Sequence, residues 1–393
     1  MAQYRRPGSR GRRRRQSWWG TLLSRRPRPV WMLVTAHVFA LGIALVLYAL
    51  PHHVIPQAGV AVGITSSRTS MSSANNAGEN SAADGVETQA STATQQPGSD
   101  LTAISSQAID DSGAPAVAQS ASAVPEPSST PAADAVGSFR VKFADYFTSG
   151  EVERTENTYR SANVNITLSS NYNDSLQVRY HVADIYIADI SCLQTAFAND
   201  QYGSGYTEWP QSFAERFQSI VTINGDYCGA RKDGVVIRNG MLYRDERNIN
   251  DVAVIYWDGT MKAFSPHEFD AETEMANGAY QCWNFGPFLL DQDGKALTDF
   301  NSDVTSRNPR SVIGYYEPGH YCFVAVDGRS NDSKGMEMTT LAQLMEYLGC
   351  KQAFNLDGGQ TSILCAGSSI INNPCDGGRK SSDVIMILDR VAE

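Results

Sequence analysis

The feature that most constrains this chain is a run of 21 residues without Asp, Glu, Lys or Arg, VWMLVTAHVFALGIALVLYAL at 30–50. About 20 apolar residues in a helix span the roughly 30 Å of hydrocarbon in a bilayer. An arginine-rich segment precedes the run, and positive residues favour the cytoplasmic side. The sequence therefore predicts a basic cytoplasmic tail at 1–29, a single transmembrane helix at 30–50 that serves as a signal anchor in the cell membrane, and an extracellular remainder. A cleaved signal peptide is the alternative, and the length of the apolar run disfavours it.

Charge is distributed unevenly between the tip and the body of the chain. Residues 1–28 hold ten Arg and no acidic residue, which leaves 22 basic and 42 acidic residues, a formal net charge of −20, for the rest. An acidic body argues against nucleic acid as its main partner, because nucleic-acid binding needs cationic side chains. A strongly anionic polymer is expected to bind only where a local basic pocket receives it.

Residues 57–137 contain no aromatic residue and consist mainly of Ser, Ala, Thr, Gln, Gly and Pro. Such a composition buries too little apolar surface to offset the entropy lost on ordering. We therefore predict a disordered, low-complexity stalk at 51–137. The return of aromatic and β-branched residues then marks one folded domain at 138–393.

Turn signals in the aromatic-rich remainder favour β-hairpins. Asn239-Gly240 separates VVIR from MLYR, and Asp258-Gly259 lies between VIYW and TMKAF. These pairs tolerate the positive φ angles that tight hairpins require. Two further strands are predicted within 311–326.

Apolar residues with helical spacing occur at two places. The first is 210–219; the second begins at Thr340, where Thr340 and Gln343 match a capping box and Gly349 supplies a C-terminal stop. Because hairpins outnumber helices, the sequence predicts an α+β domain with a mixed, mostly antiparallel sheet and a few helices.

Seven cysteines lie between Cys192 and Cys375, and none forms a C-x-x-C pair, which argues against a zinc ribbon or a thioredoxin-like motif. An extracellular compartment permits disulfides. Cys365 and Cys375 bracket a short loop and are the preferred pair. Cys322 lies in the middle of a predicted strand, where a buried free thiol is expected.

Three segments place polar residues and glycines directly after predicted strands: INGDY at 223–227, VDGR at 326–329 and NLDGGQTS at 355–362. Glycine lets a backbone approach a ligand closely, and loops at strand ends often carry function. Asp-Gly and Asn-Gly are also ordinary turn formers. The third segment is harder to explain as a turn, because acid, amide and hydroxyl groups surround a double glycine.

Five motifs, INGDY, NPRSVIG, VAVDGR, SKGM and NLDGGQTS, occur in this order. In order and spacing they resemble the phosphodiester glycosidase family, the catalytic domain type of the mannose-6-phosphate uncovering enzyme. The likeness is greatest to bacterial membrane-anchored, exopolysaccharide-related members and runs from about Val178 to Leu388. It implies an extracytoplasmic hydrolase that cleaves a sugar-1-phosphodiester in cell-surface or exopolysaccharide material.

The resemblance also implies which residues form the pocket. Three aspartates are the candidate catalytic residues: Asp357, Asp327 and Asp226. The implied substrate-binding residues are Asn224, Arg310, Arg329, Asn355, Gly358, Gly359, Thr361 and Ser362. Two positions depart from the family pattern. Gln360 replaces the third glycine of an NLDGGG run, and Gln194 stands where related sequences often carry Arg.

The residue types suit this chemistry independently of the resemblance. A phosphodiester is already a good leaving group, so the site needs cations that hold the departing phosphate more than it needs a general acid. Arg310 and Arg329 suit that task through bidentate geometry. Asp357 and Asp327 suit activation of water or attack on the anomeric carbon.

No cofactor is expected, and no close-spaced histidine ligands predict a metal, although a carboxylate-bound Ca²⁺ is left open. The alternative function is a non-catalytic module that binds cell-surface glycans. It would use the same loops, with Trp209, Trp257 and Trp283 as stacking platforms.

Overall fold

The structure is a computed structural model that describes residues 38–43, 57–59, 61–66 and 138–390. The predicted cytoplasmic tail lies outside these residues, as do most of the predicted membrane span and stalk. Residues 38–43, within the predicted span, are helical. No helix among the described residues is long and apolar enough to cross a membrane.

The described strands are β1 (Gln57–Ala58), β2 (Ile64–Thr65), β3 (Glu153–Arg154), β4 (Thr158–Arg160), β5 (Val164–Asn173), β6 (Val178–Ile187), β7 (Leu193–Phe197), β8 (Gly203–Ser204), β9 (Val221–Asn224), β10 (Gly234–Arg238), β11 (Met241–Glu246), β12 (Val252–Tyr256), β13 (Met261–Phe264), β14 (Ala279–Trp283), β15 (Arg310–Glu317), β16 (His320–Val326), β17 (Gln352–Asn355), β18 (Leu364–Ala366), β19 (Ser369–Ile370) and β20 (Asp383–Ile387). The longer helices beyond residue 137 are α1 (Ser138–Lys142), α2 (Pro210–Phe217), α3 (Ala271–Ala276) and α4 (Met338–Tyr347). Short 3₁₀ turns include Cys228–Ala230, Gly359–Thr361 and Cys375–Gly377.

These strands form three large sheets. A six-stranded sheet has the order β13-β12-β14-β10-β11-β2, a seven-stranded sheet the order β17-β15-β16-β6-β5-β4-β3, and a five-stranded sheet the order β19-β18-β9-β20-β7. Neighbouring strands in all three sheets pair antiparallel. The predicted α+β class, with mostly antiparallel strands and few helices, is confirmed, and the strands divide among three sheets.

One hydrophobic core joins the three sheets. Ile185 and Phe323 come from the seven-stranded sheet, Ile223 from the five-stranded sheet, and Ile255 and Trp283 from the six-stranded sheet, and all five are fully buried. Burial of such side chains supplies the main favourable term in folding. Since Trp283 is a core residue, it is not available as a stacking platform for a glycan.

The predicted hairpins are confirmed. Asn239 and Gly240 both have positive φ, 51° and 80°, and join β10 to β11 in a two-residue turn. Pro318 and Gly319 form the two-residue connection between β15 and β16. The loop with Asp258-Gly259 joins β12 to β13.

The predicted start of the second helix is wrong by two residues. Helix α4 begins at Met338, so Thr340 lies inside its first turn, and no side chain caps its N-terminus. Burial of Met338 against the seven-stranded sheet decides the start, since the side chain is 1% exposed. Gly349 follows the helix with a φ of 83°, as predicted.

All seven cysteines lie within the described part of the chain, and all are free and buried. The predicted Cys365–Cys375 disulfide is therefore wrong. Cys365 packs in β18 beside Ala214 and Ile363, whereas the Cys375 thiol donates to Asp376 at 3.4 Å. The prediction for Cys322 is confirmed, because it is a buried free thiol within β16.

Part of the predicted stalk pairs with the domain. Ile64 and Thr65 of β2 pair with Leu242 and Met241 of β11, and Trp257 Nε1 donates to Ser66 Oγ at 3.1 Å. The paired residues belong to the segment VAVGIT, which is rich in β-branched residues and therefore favours a strand, although no aromatic residue lies near it in the sequence. The folded unit therefore includes residues that precede the predicted boundary at 138.

Candidate active site

Strand ends from two sheets meet at one edge of the domain. Arg310 begins β15 and pairs with Val326, the last residue of β16, while Asn355 ends the neighbouring β17. The backbone N–H of Asp357 donates to Gly225 O at 3.2 Å, which links this edge to the end of β9. Antiparallel pairing thus brings together three motifs that are far apart in the sequence.

A cavity of about 500 Å³ opens at this edge. That volume lies within the range of roughly 300–1,000 Å³ typical of small-molecule sites. Several predicted residues line it, namely Arg310, Arg329, Asn355, Asp357, Gly358 and Gly359, together with Ile249, Asn250, Phe285, Gly286, Asn301, Ser302, Asp303, Val304, Asn308, Pro309, Leu356, Gln360 and Arg379.

Asp357 presents a carboxylate on the cavity wall. Its Oδ2 accepts hydrogen bonds from Thr361 Oγ1 at 2.7 Å and from Arg379 Nη2 at 3.2 Å. Burial raises the pKa of Asp357, and the Thr361 hydroxyl and Arg379 partly oppose this increase. The side chain is 14% exposed, so it can meet a ligand while remaining mostly desolvated.

Arg310 is a buried guanidinium held by backbone carbonyls. Nε donates to Met336 O at 3.2 Å, and Nη2 donates to Val304 O at 2.9 Å and to Ser306 O at 2.6 Å. Burial, followed by the proximity of Arg329, lowers the pKa of Arg310 to about 10. Among the described residues no carboxylate pairs with it. The cavity therefore has an excess of positive charge at this point.

Arg329 lies across the double glycine from Asp357. Its Nε and Nη2 donate to Asn308 Oδ1 at 3.2 and 2.8 Å. A Cβ at Gly359, whose φ is 68°, would lie 3.2 Å from Arg329 Nη1, and a Cβ at Gly358 would lie 2.7 Å from Pro309 O. Gly358 is therefore required by the close approach of the Pro309 carbonyl, whereas Gly359 is favoured by its positive φ.

The buried amides and hydroxyls around this edge hold the loop in shape. Asn224 Nδ2 donates to Asp357 O at 2.8 Å, and Asn224 Oδ1 accepts from Ser311 Oγ at 2.7 Å. Asn355 Nδ2 donates to Gly286 O at 2.8 Å, while its Oδ1 and the Ser362 Oγ have no hydrogen-bond partner within the described residues. Of the four side chains Asn224, Ser311, Asn355 and Ser362, only that of Asn355 lines the cavity.

Asp327 does not line the cavity. It is 2% exposed, and its Oδ2 lies 3.2 Å from His181 Nε2. Its Oδ1 accepts from Asn372 Nδ2 at 3.1 Å and from Asn373 N at 2.9 Å. These contacts make it an anchor for the loop around residue 372.

Asp226 also lies outside the cavity and is fully buried. Its Oδ1 accepts from Arg238 Nη2 at 2.8 Å, and its Oδ2 accepts from Asn284 N at 2.8 Å. The same Arg238 Nη2 lies 2.8 Å from Asp383 Oδ2. Burial alone would raise the pKa of Asp226, but Arg238 and Arg231 outweigh it and hold that pKa below its ordinary value.

Asp226, Cys228 and Asp383 are close enough together to serve as metal ligands. Arg238 already supplies positive charge between the two carboxylates. Burial, reinforced by the two carboxylates, raises the pKa of Cys228 well above its ordinary value, and metals bind the thiolate. The arrangement thus favours an internal ion cluster over a metal site.

Arg379 is a cavity residue that the sequence analysis missed. It pairs with Asp357, and its guanidinium lies 5.4 Å from the ring centre of Tyr227, a cation–π distance. Tyr227 has a φ of 66°, an uncommon conformation for a bulky residue. The signal in the sequence was Gly377-Gly378 immediately before a basic residue, which none of the five motifs includes.

The two departures from the family pattern lie in different places. Gln360 lines the cavity, and its Nε2 donates to Asp376 Oδ2 at 3.0 Å. Gln194 lies in β7, where its Nε2 donates to Ser191 O at 3.0 Å and its Oε1 accepts from Arg390 at 3.2 Å. Gln194 does not line the cavity.

The cavity thus combines the Asp357 carboxylate with Arg310 and Arg329, neither of which pairs with a carboxylate among the described residues. Residues 217–388 match the sequence profile of the family described as phosphodiester glycosidase. The resemblance predicted from the five motifs is confirmed.

Individual relatives share parts of the chain. The SPbeta prophage-derived uncharacterized protein YomE of Bacillus subtilis (strain 168) is 30% identical over 236 residues, which cover 54% of this chain and 36% of that protein. The chain thus spans about a third of that curated relative. Among solved structures, the catalytic domain of zebrafish N-acetylglucosamine-1-phosphodiester alpha-N-acetylglucosaminidase, auto-inhibited by its pro-peptide, matches with 22% identity and a TM-score of 0.48, over 58% of this chain and 83% of that one. A hypothetical protein from Synechocystis matches with 15% identity and a TM-score of 0.40, over 61% of this chain and 64% of that one.

Proposed function

We propose that this domain hydrolyses a sugar-1-phosphodiester. The observation that carries the proposal is the placement of Asp357 in one cavity with Arg310 and Arg329, neither of which pairs with a carboxylate in the described part of the chain. An unpaired cation at a partly desolvated position is stabilised by an anionic ligand. The match of residues 217–388 to the phosphodiester glycosidase profile supports a phosphodiester as that ligand.

The proposed reaction breaks the bond between the anomeric carbon and the phosphate oxygen. The bonding electrons leave with that oxygen, and a phosphate monoester departs against the guanidinium groups of Arg310 and Arg329. The oxygen of water bonds to the anomeric carbon. Asp357 either removes the proton of this water or attacks the carbon first and is then released by water.

Neighbouring residues support this role for Asp357. Arg379 and Thr361 donate to the carboxylate, which favours its ionised form. The buried Oδ1 of Asn355, which has no partner among the described residues, is an acceptor for a sugar hydroxyl. The glycines allow the backbone to approach the ligand.

The location is part of the proposal. The arginine-rich start and the apolar run at 30–50 support a domain on the extracellular side of the cell membrane, acting on cell-surface or exopolysaccharide material. Protease added to intact cells is expected to cut within 67–137 and release the domain. Protection in intact cells, together with cleavage in lysed cells, would place the domain on the other side.

Incubation of the full chain with methyl phosphodiesters of N-acetylglucosamine, glucose, galactose and mannose 1-phosphates, in both anomeric forms, tests the activity. We expect at least one to give equal amounts of free sugar and methyl phosphate. Binding of these compounds without turnover by any preparation would instead support the glycan-binding module. That alternative has lost Trp283 as a platform, because this residue is fully buried.

A further inference from the structure

Two buried thiols are in contact where α4 packs against the seven-stranded sheet. Cys322, in the middle of β16, is fully buried, and Cys350, between α4 and β17, is 3% exposed. Their Sγ atoms are 3.8 Å apart, although the two residues are separated by 28 positions in the sequence. Three other thiols contact oxygen atoms instead, namely those of Cys192, Cys228 and Cys375. The fold therefore brings two thiols to van der Waals distance of each other.

Gly314, in the middle of β15, leaves the space that both sulfur atoms occupy. It pairs with Cys322 on one side and with Ala353 of β17 on the other. A Cβ at this position would lie 2.6 Å from Cys322 Sγ, 2.9 Å from Cys350 Sγ and 2.7 Å from Met345 Cε. Gly314 is not among the glycines with positive φ, so its backbone conformation does not require glycine. A glycine inside a strand is unfavourable, and the close approach of these side chains accounts for it here.

The surroundings of the two thiols determine when they can react. The Tyr316 hydroxyl is within hydrogen-bonding distance of both. Contact with Cys350, followed by burial, raises the pKa of Cys322 well above its ordinary value, and Tyr316 opposes this increase only in part. The thiolate is the form of cysteine that attacks a disulfide, and access to the oxidant also limits the rate. Oxidation is therefore expected while the chain folds, before burial is complete.

We infer that Cys322 and Cys350 form a disulfide when this chain folds in the presence of an oxidant. The thiolate of one cysteine attacks a sulfur of a small-molecule or protein disulfide and displaces one thiolate from it. The thiolate of the other cysteine then attacks the mixed disulfide and displaces the second. The chain loses two protons and two electrons, and the electrons reduce the oxidant to two thiols. The inference is independent of the proposed hydrolase activity.

The bond links two elements that lead to the cavity. β16 continues into the loop that carries Arg329, and β17, which follows Cys350, continues to Asp357. A cross-link stabilises a fold chiefly by restricting the unfolded chain. The expected consequence is thus a higher melting temperature, with no new group in the cavity.

Peptide mapping tests the pairing. The full chain is unfolded with urea in detergent, refolded in a mixture of reduced and oxidised glutathione, treated with iodoacetamide and digested with trypsin. We expect the tryptic peptides 311–329 and 335–351, which carry Cys322 and Cys350, to be joined, with two hydrogen atoms fewer than the separate peptides. Alkylation of Cys322 and Cys350, or a bond from either to another cysteine, would overturn the inference.

Melting temperatures test the effect on the fold. The wild-type chain refolded with dithiothreitol should melt about 5–10 °C below the chain refolded with the glutathione mixture. Cys350→Ala should abolish this difference, whatever the substitution itself costs, because each variant is compared with itself under the two conditions. Cys322→Ser is the second variant and should do the same if Cys350→Ala does not refold.

Cys365→Ala is the matched control for these measurements. Cys365 is a fully buried thiol in β18, outside the pair, so this variant should keep the dependence on the glutathione mixture. Equal melting temperatures of the wild-type chain under the two conditions would overturn the inference. The same holds for a difference that persists in the Cys350 and Cys322 variants or disappears in Cys365→Ala.

Discussion

Two clusters of aspartate and arginine lie on either side of the end of β9. In one, Asp357 pairs with Arg379 on the wall of an open cavity, at 3.2 Å. In the other, Asp226 and Asp383 share Arg238 at 2.8 Å each, and all three side chains are almost fully buried. Aspartate and arginine therefore line a cavity in one cluster and form a buried ion cluster in the other. Access to a ligand distinguishes the two clusters better than their sequence motifs do.

Asp226→Ala should have the largest effect, on folding rather than on catalysis. The substitution removes the acceptor of two buried donors, Arg238 Nη2 and Asn284 N, and each buried donor left unsatisfied costs about 1–3 kcal/mol of unfolding free energy. Urea denaturation measures this cost. The control is Glu153→Ala, which removes an exposed partner of Arg160 and should cost at most about 1 kcal/mol. Equal costs for the two variants would show that Asp226 does not hold the buried cluster together.

Asp357→Asn should lower activity and leave stability almost unchanged. The substitution keeps the shape of the side chain and removes its charge, so kcat on an active ester should fall by roughly 10²-fold or more. Because the side chain lines a cavity, the unfolding midpoint should change little. Asp376→Asn, which alters a carboxylate bonded to Gln360, is the control. A wild-type kcat for Asp357→Asn would exclude this residue from the chemistry.

Arg329→Lys should reduce kcat/KM by about tenfold, because one charge-assisted hydrogen bond is worth about 1.5–3 kcal/mol and an ammonium group cannot reproduce the planar fork. The matched control is Arg216→Lys, at an arginine that pairs with Asp200 and Glu208 outside the cavity. An effect on melting temperature alone would identify Arg329 as a structural residue.

Arg379→Gln should have a smaller effect, which is expected in the pH dependence of kcat/KM. Burial raises the pKa of Asp357, so the acid limb of kcat/KM should lie above the ordinary value of about 3.9 for aspartate. Arg379 lowers this pKa, and Arg379→Gln should therefore move the limb to higher pH.

The raised pKa also means that Asp357 favours the folded state at low pH, and this contribution is lost as pH rises through its folded-state pKa. An acid limb that stays in place in Arg379→Gln would contradict the assignment.

Removal of residues before 138 should have the smallest effect among these predictions. A chain that starts at residue 138 lacks β2 and the Ser66–Trp257 hydrogen bond, so its melting temperature should be a few degrees below that of a chain that starts at residue 57. Differential scanning calorimetry measures the difference. Identical melting curves would show that the paired segment adds nothing to stability.

The sequence predicted the hairpins and the end of α4 because local residue chemistry determines them. The turn at Asn239-Gly240 requires only two residues that adopt positive φ. The end of α4 requires only a residue such as Gly349 that adopts positive φ directly after the helix. The start of α4 was misplaced because burial of Met338, a long-range effect, outweighed the local capping pattern.

The site was predictable to the extent that its residues belong to motifs. Arg310, Arg329 and Asp357 share the cavity, as the resemblance implied. Asp226 and Asp327 also precede or follow glycines at strand ends, but the fold buries them against Arg238 and His181, which the motifs do not include. Arg379 was missed because only the fold brings it to Asp357.

The two-residue strand β2 also affects the colloidal behaviour of the protein. It pairs with Met241 and Leu242, the first two residues of β11, a strand that would otherwise form an open edge of the six-stranded sheet. Open edges are templates for pairing between molecules, and a very short edge strand limits such growth. The pairing thereby shortens the stretch of β11 that is open to a strand of another copy of the domain.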